Sequence, residues 1–260
     1  MNSDIFIIAR MGSSRLPGKH LKKIQNEPVI IHLINRLKLA TKYRKIVVCT
    51  TKKKEDDILV KLLESKKIEY FRGSEKDLLV RFLEAAKFFH TDIIIDVEGD
   101  KIYTDPKYVD KVIEKMENSD IDYVEGMLLD KKSSIIHGVH GFIPAGINVN
   151  SLKKICQLKK TNNTETGYKE FFTESKIMKL KYIKLDSKLE IPENIRLTLD
   201  YQEDFKLATK IFAKLGNHFN AEDVIRLLDK EPELLKITEP LIKKWNEYYE
   251  KNIADHSLKT

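Results

Sequence analysis

The sequence predicts an α/β protein built on an open, mostly parallel sheet with helices on both faces. A continuous apolar run of strand length, typical of a strand buried on both faces of a sheet, occurs at residues 5–9, and further strand-like runs occur at residues 45–50, 68–71 and 93–97. Apolar residues spaced three or four apart fill the intervals between these runs, as they do in amphipathic helices. This alternation favours parallel pairing, because a strand followed by a helix returns to lie beside its predecessor.

Length and composition limit the class of protein. A chain of 260 residues suits one α/β domain, so residues 1–260 are predicted to form a single domain. Hydrophobic residues make up 42% and charged residues 33%, and no apolar run is long enough to cross a bilayer, which excludes disordered and membrane classes. The start lacks the pattern of a secretory signal, so we expect a cytoplasmic protein. Cys49 and Cys156 have no metal-ligand or disulfide-scaffold spacing.

Helices are predicted from the residues that start them and from their apolar spacing. Pro28 suits the first position of a helix that ends before Arg44, since the amide that proline lacks would have no partner there. Further helices are predicted at residues 56–66, 77–89 and 106–116. Together with the four strands, they complete the first half of the fold.

The second half of the chain has weaker patterns. Short strands are predicted within residues 123–129 and 138–149, followed by a helix near residues 152–158. Two later apolar runs, at residues 182–185 and 195–199, also predict strands. The last part, about residues 201–255, is predicted to be helical, with helices at residues 201–214, 221–230 and 239–251.

The distribution of charge favours a small anionic ligand. The chain has 47 basic and 40 acidic residues, and the net charge of +7 could serve nucleic acid, anionic lipid or a small anion. Between Arg10 and Lys23, five basic residues and no acidic residue share a segment with Gly12, Pro17 and Gly18, which interrupt regular structure. Aromatic residues are not interleaved with the basic ones as base-stacking platforms, so a nucleic-acid binder is a remote alternative.

A second basic stretch, at residues 42–54, is followed by Glu55, Asp56 and Asp57. Opposite charges that follow one another in this way are typical of a solvated face, and we predict one here. The electropositive loop after the first strand is therefore the main candidate site.

This loop does not match two common phosphate-binding motifs. A Walker A loop has four residues between Gly and Gly-Lys and then a hydroxyl residue, whereas five residues separate Gly12 from Gly18, and His20 follows Lys19. The glycine pattern of a dinucleotide-binding turn is also missing. What remains is a set of arginine and lysine side chains on a backbone that glycines open to an anion, and a triphosphate fits that set.

Four ordered motifs extend from this loop through most of the chain. The first is the series I-x-A-R-x-x-S-S-R-L-P-G-K over residues 7–19, and the others lie at residues 71–81, 99–106 and 196–204. The motifs resemble those of cytidylyltransferases that activate acidic sugars, in the SpsF-like branch of the acylneuraminate and CMP-Kdo synthetase family. The resemblance implies a nucleotide-diphospho-sugar transferase fold of the GT-A, Rossmann-like kind, commonly dimeric and dependent on Mg²⁺.

The resemblance also implies roles for individual residues. Arg10, Arg15 and Lys19 would hold the triphosphate of CTP. Asp100 and Asp200, which follow predicted strands, would bring oxygen ligands to Mg²⁺. Arg15, Lys19 and Asp100 would be the catalytic residues. Further nucleotide contacts are implied for Ala9, Gly12, Ser13, Ser14, Arg72, Ser74, Arg81 and Glu98.

The implied reaction transfers CMP from CTP to an anionic acceptor, a sugar acid or a phosphate or phosphonate compound, and releases pyrophosphate. Fixed cations and Mg²⁺ stabilise charge on the phosphoryl oxygens and the leaving group better than water does. The product would serve surface polysaccharide or glycoconjugate biosynthesis. The protein would be a homodimer, with an acceptor and dimerisation region at about residues 121–180. Another nucleoside triphosphate or a non-sugar phosphate-ester acceptor is the open alternative.

The sequence departs from the family pattern around the second half of the site. Residues 101–102 replace a segment that carries proline in relatives and add a cation. Asp96 and Glu98 are spaced to fall on one side of the strand with Asp100, either as additional metal or base contacts or as solvated carboxylates. Residues 168–173 match the acceptor segment of relatives only loosely, so the acceptor stays open.

Overall fold

The computed structural model describes residues 1–118, 120–127, 141–186, 189, 191–192 and 194–259. The predicted strand ends at residues 128–129 and 138–140 lie outside the described residues. The strands are β1 (Ser3–Ile8), β2 (Lys23–Ile24), β3 (Glu27–Pro28), β4 (Lys45–Thr51), β5 (Glu69–Gly73), β6 (Ile93–Glu98), β7 (Tyr123–Met127), β8 (Ala145–Asn148) and β9 (Leu180–Lys184). The α-helices are α1 (Val29–Leu37), α2 (Asp57–Ser65), α3 (Leu78–Phe89), α4 (Pro106–Glu117), α5 (Val149–Leu158), α6 (Glu170–Thr173), α7 (Gln202–Leu215), α8 (Ala221–Lys230) and α9 (Glu239–Asn252).

The central sheet is mostly parallel, as predicted. Its strand order is β5-β4-β1-β6-β8-β7-β9. β1 pairs in parallel with β4 and β6, and β4 pairs in parallel with β5. β8 runs antiparallel to its neighbours β6 and β7, while β9 returns parallel to β7. The loops that follow β1 and β6 therefore meet at one edge of the sheet, where α/β proteins bind ligands.

Apolar side chains of β1 alternate between two hydrophobic cores. Ile5 and Ile7 pack into the core shared with α1, α4, α7 and α8, while Phe6 packs into the core shared with α3, α5 and α6. A strand covered on both faces needs a continuous apolar run, which explains the pattern that predicted it. No helix in the described part of the chain is long and apolar enough to span a membrane.

Residues 195–199 do not form a strand, which corrects the prediction for this segment. Ile195, Leu197 and Leu199 are fully buried, as their alternation suggests. The polar residues between them are buried as well, and Arg196 donates hydrogen bonds to carboxylates further along the chain. Side-chain contacts, rather than the backbone hydrogen bonds of a sheet, therefore hold this segment.

Two short elements have no clear sequence pattern. The ribbon of β2 and β3 turns through Gln25 and Asn26, whose φ angles are 48° and 70°. Two successive residues with positive φ are what a two-residue hairpin with a type I′ turn requires. Helix α6 has only four residues, too few to show an apolar period.

Arg36 on α1 connects three parts of the fold. Its side chain is fully buried, and one terminal nitrogen donates to the carbonyl oxygens of Asn217 and Phe219 at 3.0 Å each. The other donates to the carbonyl of Thr104 at 3.2 Å. The guanidinium carbon lies 3.7 Å from the centroid of the Phe219 ring. Burial lowers the pKa of Arg36 to about 10, so the group stays charged at neutral pH.

A second buried polar contact lies on the opposite face of the sheet. Asp96 on β6 is 2% exposed, and one of its oxygens accepts a hydrogen bond from the Tyr168 hydroxyl at 2.7 Å. The other oxygen has no hydrogen-bond partner among the described residues. Burial raises the pKa of Asp96 to about 6, although the positive charge of Lys169 opposes the shift. Asp96 is therefore a core carboxyl covered by Tyr168, rather than a solvated rim group.

We expect Arg36→Met to destabilise the fold by about 3 kcal/mol, because it leaves several buried carbonyl oxygens without a donor. Urea unfolding of the variant and the parent measures the difference. Arg226→Met is the matched control: that side chain is 67% exposed, and its loss should change stability by less than about 0.5 kcal/mol. Equal stability of the two variants would show that the carbonyl contacts of Arg36 contribute little.

Asp96→Asn should alter how stability depends on pH. In the folded state Asp96 keeps its proton up to about pH 6, whereas an unfolded aspartate has released it above about pH 4, so the parent loses stability as pH rises through this window. Asparagine does not titrate and can still accept from Tyr168. The variant should thus gain about 2 kcal/mol relative to the parent between pH 4 and pH 7 in urea unfolding. Parallel pH profiles would contradict the assignment.

Candidate active site

A cavity of about 750 Å³ opens at the carboxyl edge of the sheet. The loop after β1, the end of β6, the segment before α6 and helix α9 contribute its walls. Among its lining residues are the predicted site residues Arg10, Gly12, Ser13, Ser14, Arg15, Lys19, Glu98, Asp100 and Asp200.

Local backbone geometry brings the loop after β1 against the end of β6. Gly18 has a φ of 65°, in the left-handed region that favours glycine, and precedes the turn that carries Lys19. At Gly99, a Cβ atom would lie 2.5 Å from the carbonyl oxygen of Ile8 and 2.8 Å from the ring of His20. Burial and the charge of Lys19 lower the pKa of His20 to about 3, so this ring is neutral. Glycine at position 99 therefore lets the two loops touch.

Asp56 binds the backbone of the loop after β1. This corrects the prediction that Asp56 belongs to a solvated face. Its side chain is fully buried. One carboxylate oxygen accepts from the Met11 amide at 2.6 Å, and the other accepts from the Thr51 amide at 3.2 Å. The carboxylate thus ties the loop to the end of β4. The sequence offered one indication of this role, since Asp56 lies between a predicted strand and a predicted helix.

The ammonium of Lys19 lies between two carboxylates that are distant in sequence. Its Nζ atom is 2.7 Å from Asp100 Oδ2 and 3.2 Å from Asp200 Oδ1. Burial alone would lower the pKa of Lys19, but the two negative charges outweigh it and the pKa is raised. Burial raises the pKa of Asp100, whereas the cations around Asp200 outweigh burial and lower its pKa. Three predicted site residues therefore meet at one point.

Arg196 and Asp204 hold Asp200 in position. The Arg196 guanidinium donates to Asp200 Oδ2 at 3.2 Å and to Asp204 Oδ1 at 3.0 Å. Asp204 Oδ2 accepts from the amides of Asp200 and Tyr201, both at 2.9 Å, at the start of α7. All these groups are buried. The fourth sequence motif thus contains its own support for Asp200, a role that the motif alone did not assign.

The two motif arginines also contact carboxylates. Arg15 donates to Asp200 Oδ1 at 2.7 Å, and its guanidinium carbon lies 4.3 Å from the ring centroid of Tyr248. Arg10 forms an ion pair with Glu165, which precedes α6. Each cation of the first motif is therefore balanced by a nearby carboxylate.

Helix α9 supplies an aromatic wall to the cavity, which the sequence reasoning missed. Trp245, Tyr248 and Tyr249 line the cavity, and the rings of Trp245 and Tyr249 stack with their centroids 5.1 Å apart. The Tyr249 hydroxyl donates to Glu170 of α6. Aromatic residues three and four positions apart share one helix face, and this spacing was the signal in the sequence.

The wall beside Asp100 carries a row of alternating charges. The ammonium groups of Lys101 and Lys169 lie 2.6 Å and 2.9 Å from the same oxygen, Oε1 of Glu98. Lys169 also lies 3.8 Å from Glu125 on β7. Burial alone would raise the pKa of Glu98, but the two lysines outweigh it and lower the pKa. Burial would lower the pKa of Lys169, but Glu125 and Glu98 outweigh it and raise the pKa well above its usual value.

Four predicted nucleotide-binding residues do not line the cavity. The buried amide of Ala9 donates to the carbonyl of Cys49 at 3.3 Å. Arg72 donates to the carbonyls of Thr51 and Lys53 at 2.8 Å and 2.7 Å. Their nucleotide contacts stay predictions.

The other two of these four residues shape the turn before α3. Arg81 is 2% exposed and donates to the carbonyls of Ser74 and Glu75 at 2.7 Å and 2.9 Å. The Ser74 hydroxyl accepts from the Asp77 amide at 3.1 Å. These bonds fix the backbone, and a nucleotide contact of Ser74 or Arg81 also stays a prediction.

The carboxylates of Asp100 and Asp200 fit a divalent metal. Both contact the same ammonium, and Asp100 Oδ1 is buried without a hydrogen-bond partner among the described residues. In the described ranges, no group of three or more His, Cys, Asp or Glu side chains gathers at metal-binding spacing. Proteins nonetheless often bind Mg²⁺ through only one or two carboxylates, and phosphates and water supply the remaining ligands.

Comparison with known proteins shows the family to which the chain belongs. A sequence model described as cytidylyltransferase matches residues 5–250. An uncharacterized protein of Methanocaldococcus jannaschii is 34% identical over 236 residues, which cover 89% of this chain and 92% of that protein. Spore coat polysaccharide biosynthesis protein SpsF of Bacillus subtilis is 28% identical over 245 residues, which cover 90% of this chain and 97% of SpsF.

A solved structure supports the same relationship at the level of the fold. The cytidylyltransferase of Leptospira borgpetersenii is 26% identical, with a TM-score of 0.77, over 90% of this chain and 97% of its own. The family match spans nearly the whole chain and includes all four motifs. The chain belongs to the cytidylyltransferase family.

Proposed function

We propose that this protein transfers CMP from CTP to an acceptor that carries an anionic group, and releases pyrophosphate. The observation that carries the proposal is the meeting of Arg15 and Lys19 with Asp100 and Asp200 at one end of a cavity. Nucleotidyl transfer needs cations that bind the triphosphate and oxygen ligands that bind a metal ion, and this end of the cavity has both. The cavity continues past this end, so it has space for a second substrate.

The residues of the loop after β1 would act on the triphosphate. Arg10, Arg15 and Lys19 line the cavity and would exchange their carboxylate partners for phosphate oxygens. Such fixed donors stabilise the charge that develops on the phosphoryl group and on departing pyrophosphate. Asp100 and Asp200 would be the residues that hold Mg²⁺, which would supply positive charge to the phosphate groups.

The chemistry required at the acceptor depends on its class. A phosphate or phosphonate oxygen is already ionised at neutral pH, whereas a sugar hydroxyl must lose a proton as it attacks. The kinship with a protein named for spore coat polysaccharide biosynthesis favours a sugar derivative and a product used in surface polysaccharide. The homodimer and the cytoplasmic location stay predictions.

CTP should bind at least about tenfold more tightly than ATP, GTP or UTP, which corresponds to about 1.4 kcal/mol of base recognition. Calorimetry with each nucleotide and Mg²⁺ measures the difference. Lys19→Met should weaken all four nucleotides alike, because the triphosphate is common to them. Lys181→Met, an exposed residue of β9 outside the cavity, is the control and should change none. Equal affinity of the parent protein for all four nucleotides would contradict the preference for CTP, and tighter binding of ATP, GTP or UTP would favour that nucleotide as the substrate.

Asp100→Asn and Asp200→Asn should have strongly non-additive effects on pyrophosphate release. If the two carboxylates serve one ion, either substitution alone removes most of the metal-assisted rate, and the second then costs much less. The test measures the rate against Mg²⁺ concentration for both single variants and the double variant. Additive losses, or a magnesium dependence that does not change, would mean that the two aspartates do not share a metal.

A further inference from the structure

The wall of the cavity beside Asp100 holds two lysines that converge on one oxygen atom. Lys101 and Lys169 come from different segments of the chain, yet both ammonium groups approach Oε1 of Glu98. Each lysine side chain is 19% exposed, and both residues line the cavity. Two ammonium groups brought together in this way form a seat for negatively charged oxygen atoms, and Oε1 of Glu98 already holds one position in it.

The carboxylates around this seat leave donors for a ligand. Each ammonium has three N–H groups, and the shortest contact of each goes to the same Glu98 oxygen. Glu125 lies at the longer distance of 3.8 Å from Lys169, and its other oxygen accepts from the Tyr123 hydroxyl. Glu98 therefore orients both ammonium groups without using all of their donors.

The position of the seat relates it to the reaction. Lys101 directly follows Asp100, one of the two carboxylates assigned to the metal, whereas Arg10 and Arg15 belong to the loop after β1. A ligand that contacts Lys101 and Lys169 would thus lie close to Asp100, where the metal and the reacting phosphate are proposed to bind. This is where the second substrate must be held if its oxygen is to attack.

We propose that Lys101 and Lys169 bind an oxyanion of the acceptor, a carboxylate or a phosphate, with Glu98 as the residue that positions both ammonium groups. This assignment rests on the proposed function. It places the anionic group of the acceptor against Lys101 and Lys169. A protonated amine has only donors, as the two lysines have, and could form no hydrogen bond with them. An oxyanion instead gains two charge-assisted hydrogen bonds.

The test fills the triphosphate site first and then measures anion binding. The protein is saturated with Mg²⁺ and a CTP analogue in which a methylene group replaces the bridging oxygen between the α- and β-phosphorus atoms. Orthophosphate, acetate and methylammonium are then titrated separately, and binding is followed by NMR. We expect orthophosphate or acetate to bind and methylammonium not to bind. The preferred anion distinguishes a phosphate ester from a carboxylic acid as the acceptor.

Lysine variants assign the binding to this wall. Lys101→Met and Lys169→Met should each weaken the bound anion at least about tenfold, the loss of roughly one charge-assisted hydrogen bond, and leave the affinity for the analogue within about twofold. Lys181→Met is the control. If Lys169→Met does not fold, Lys101→Met decides alone. Binding of methylammonium, absence of anion binding, or unchanged anion affinity in Lys101→Met would overturn the proposal.

Failure of the proposed function has a different signature. A parent protein that does not bind the CTP analogue argues against CTP as the substrate, whatever the lysines do. The anion titrations are then made on the protein without nucleotide, and the dependence on Lys101 still decides whether the seat exists.

Discussion

The ammonium of Lys19, placed between Asp100 and Asp200, is the contact on which the arrangement of the site depends. Asp100 and Asp200 lie 81 and 181 positions after Lys19 in the chain. Buried charges in such a cluster are stable only when each has a partner, because removing one leaves the others uncompensated in a region of low dielectric constant. The loop after β1, the end of β6 and the segment before α7 must therefore come together, and the rest of the fold serves to hold these three.

The supports of this contact lie in the surrounding backbone. Glycine at position 99 allows the end of β6 to touch Ile8, and the Asp56 carboxylate holds the loop after β1 to β4. Arg196 and Asp204 hold Asp200 through buried hydrogen bonds. These supports hold the backbone of the loop after β1, the end of β6 and the Asp200 carboxylate, whereas the arginine side chains of the loop reach into the cavity.

The first half of the fold could be predicted from the sequence because β1, β4 and β6 lie inside the sheet and are mostly buried, although β5 at the edge is only half-buried. Each buried strand leaves a continuous apolar run, and each crossover helix leaves an apolar period. The segment at residues 195–199 misled the same reasoning, since its alternation reflects one apolar side and one side of buried charged or polar groups. The amino-acid sequence of this segment does not show whether Arg196 faces water or a buried carboxylate.

The candidate site was predictable where its residues belong to the sequence motifs, including Asp100 and Asp200, which lie far apart in the chain. The motif at residues 7–19 gathers its cations locally, and those that line the cavity were identified from it. The partners that complete the site come from far along the chain: Glu165 meets Arg10 across 155 positions, and Tyr248 reaches Arg15 from the last helix. No local pattern encodes such contacts, because they arise from the packing of α9 and the segment before α6 over the sheet edge.

The ion pairs of Arg10, Arg15 and Lys19 give the cavity the character of an ion exchanger. Each of these cations already has a carboxylate counter-ion, so a polyphosphate that binds them would have to displace carboxylates that remain in the cavity. A compensated site projects only a weak field beyond its mouth, and long-range attraction of anions is correspondingly small. Selection among anions therefore takes place on contact, where a ligand must hold the cations better than the carboxylates do.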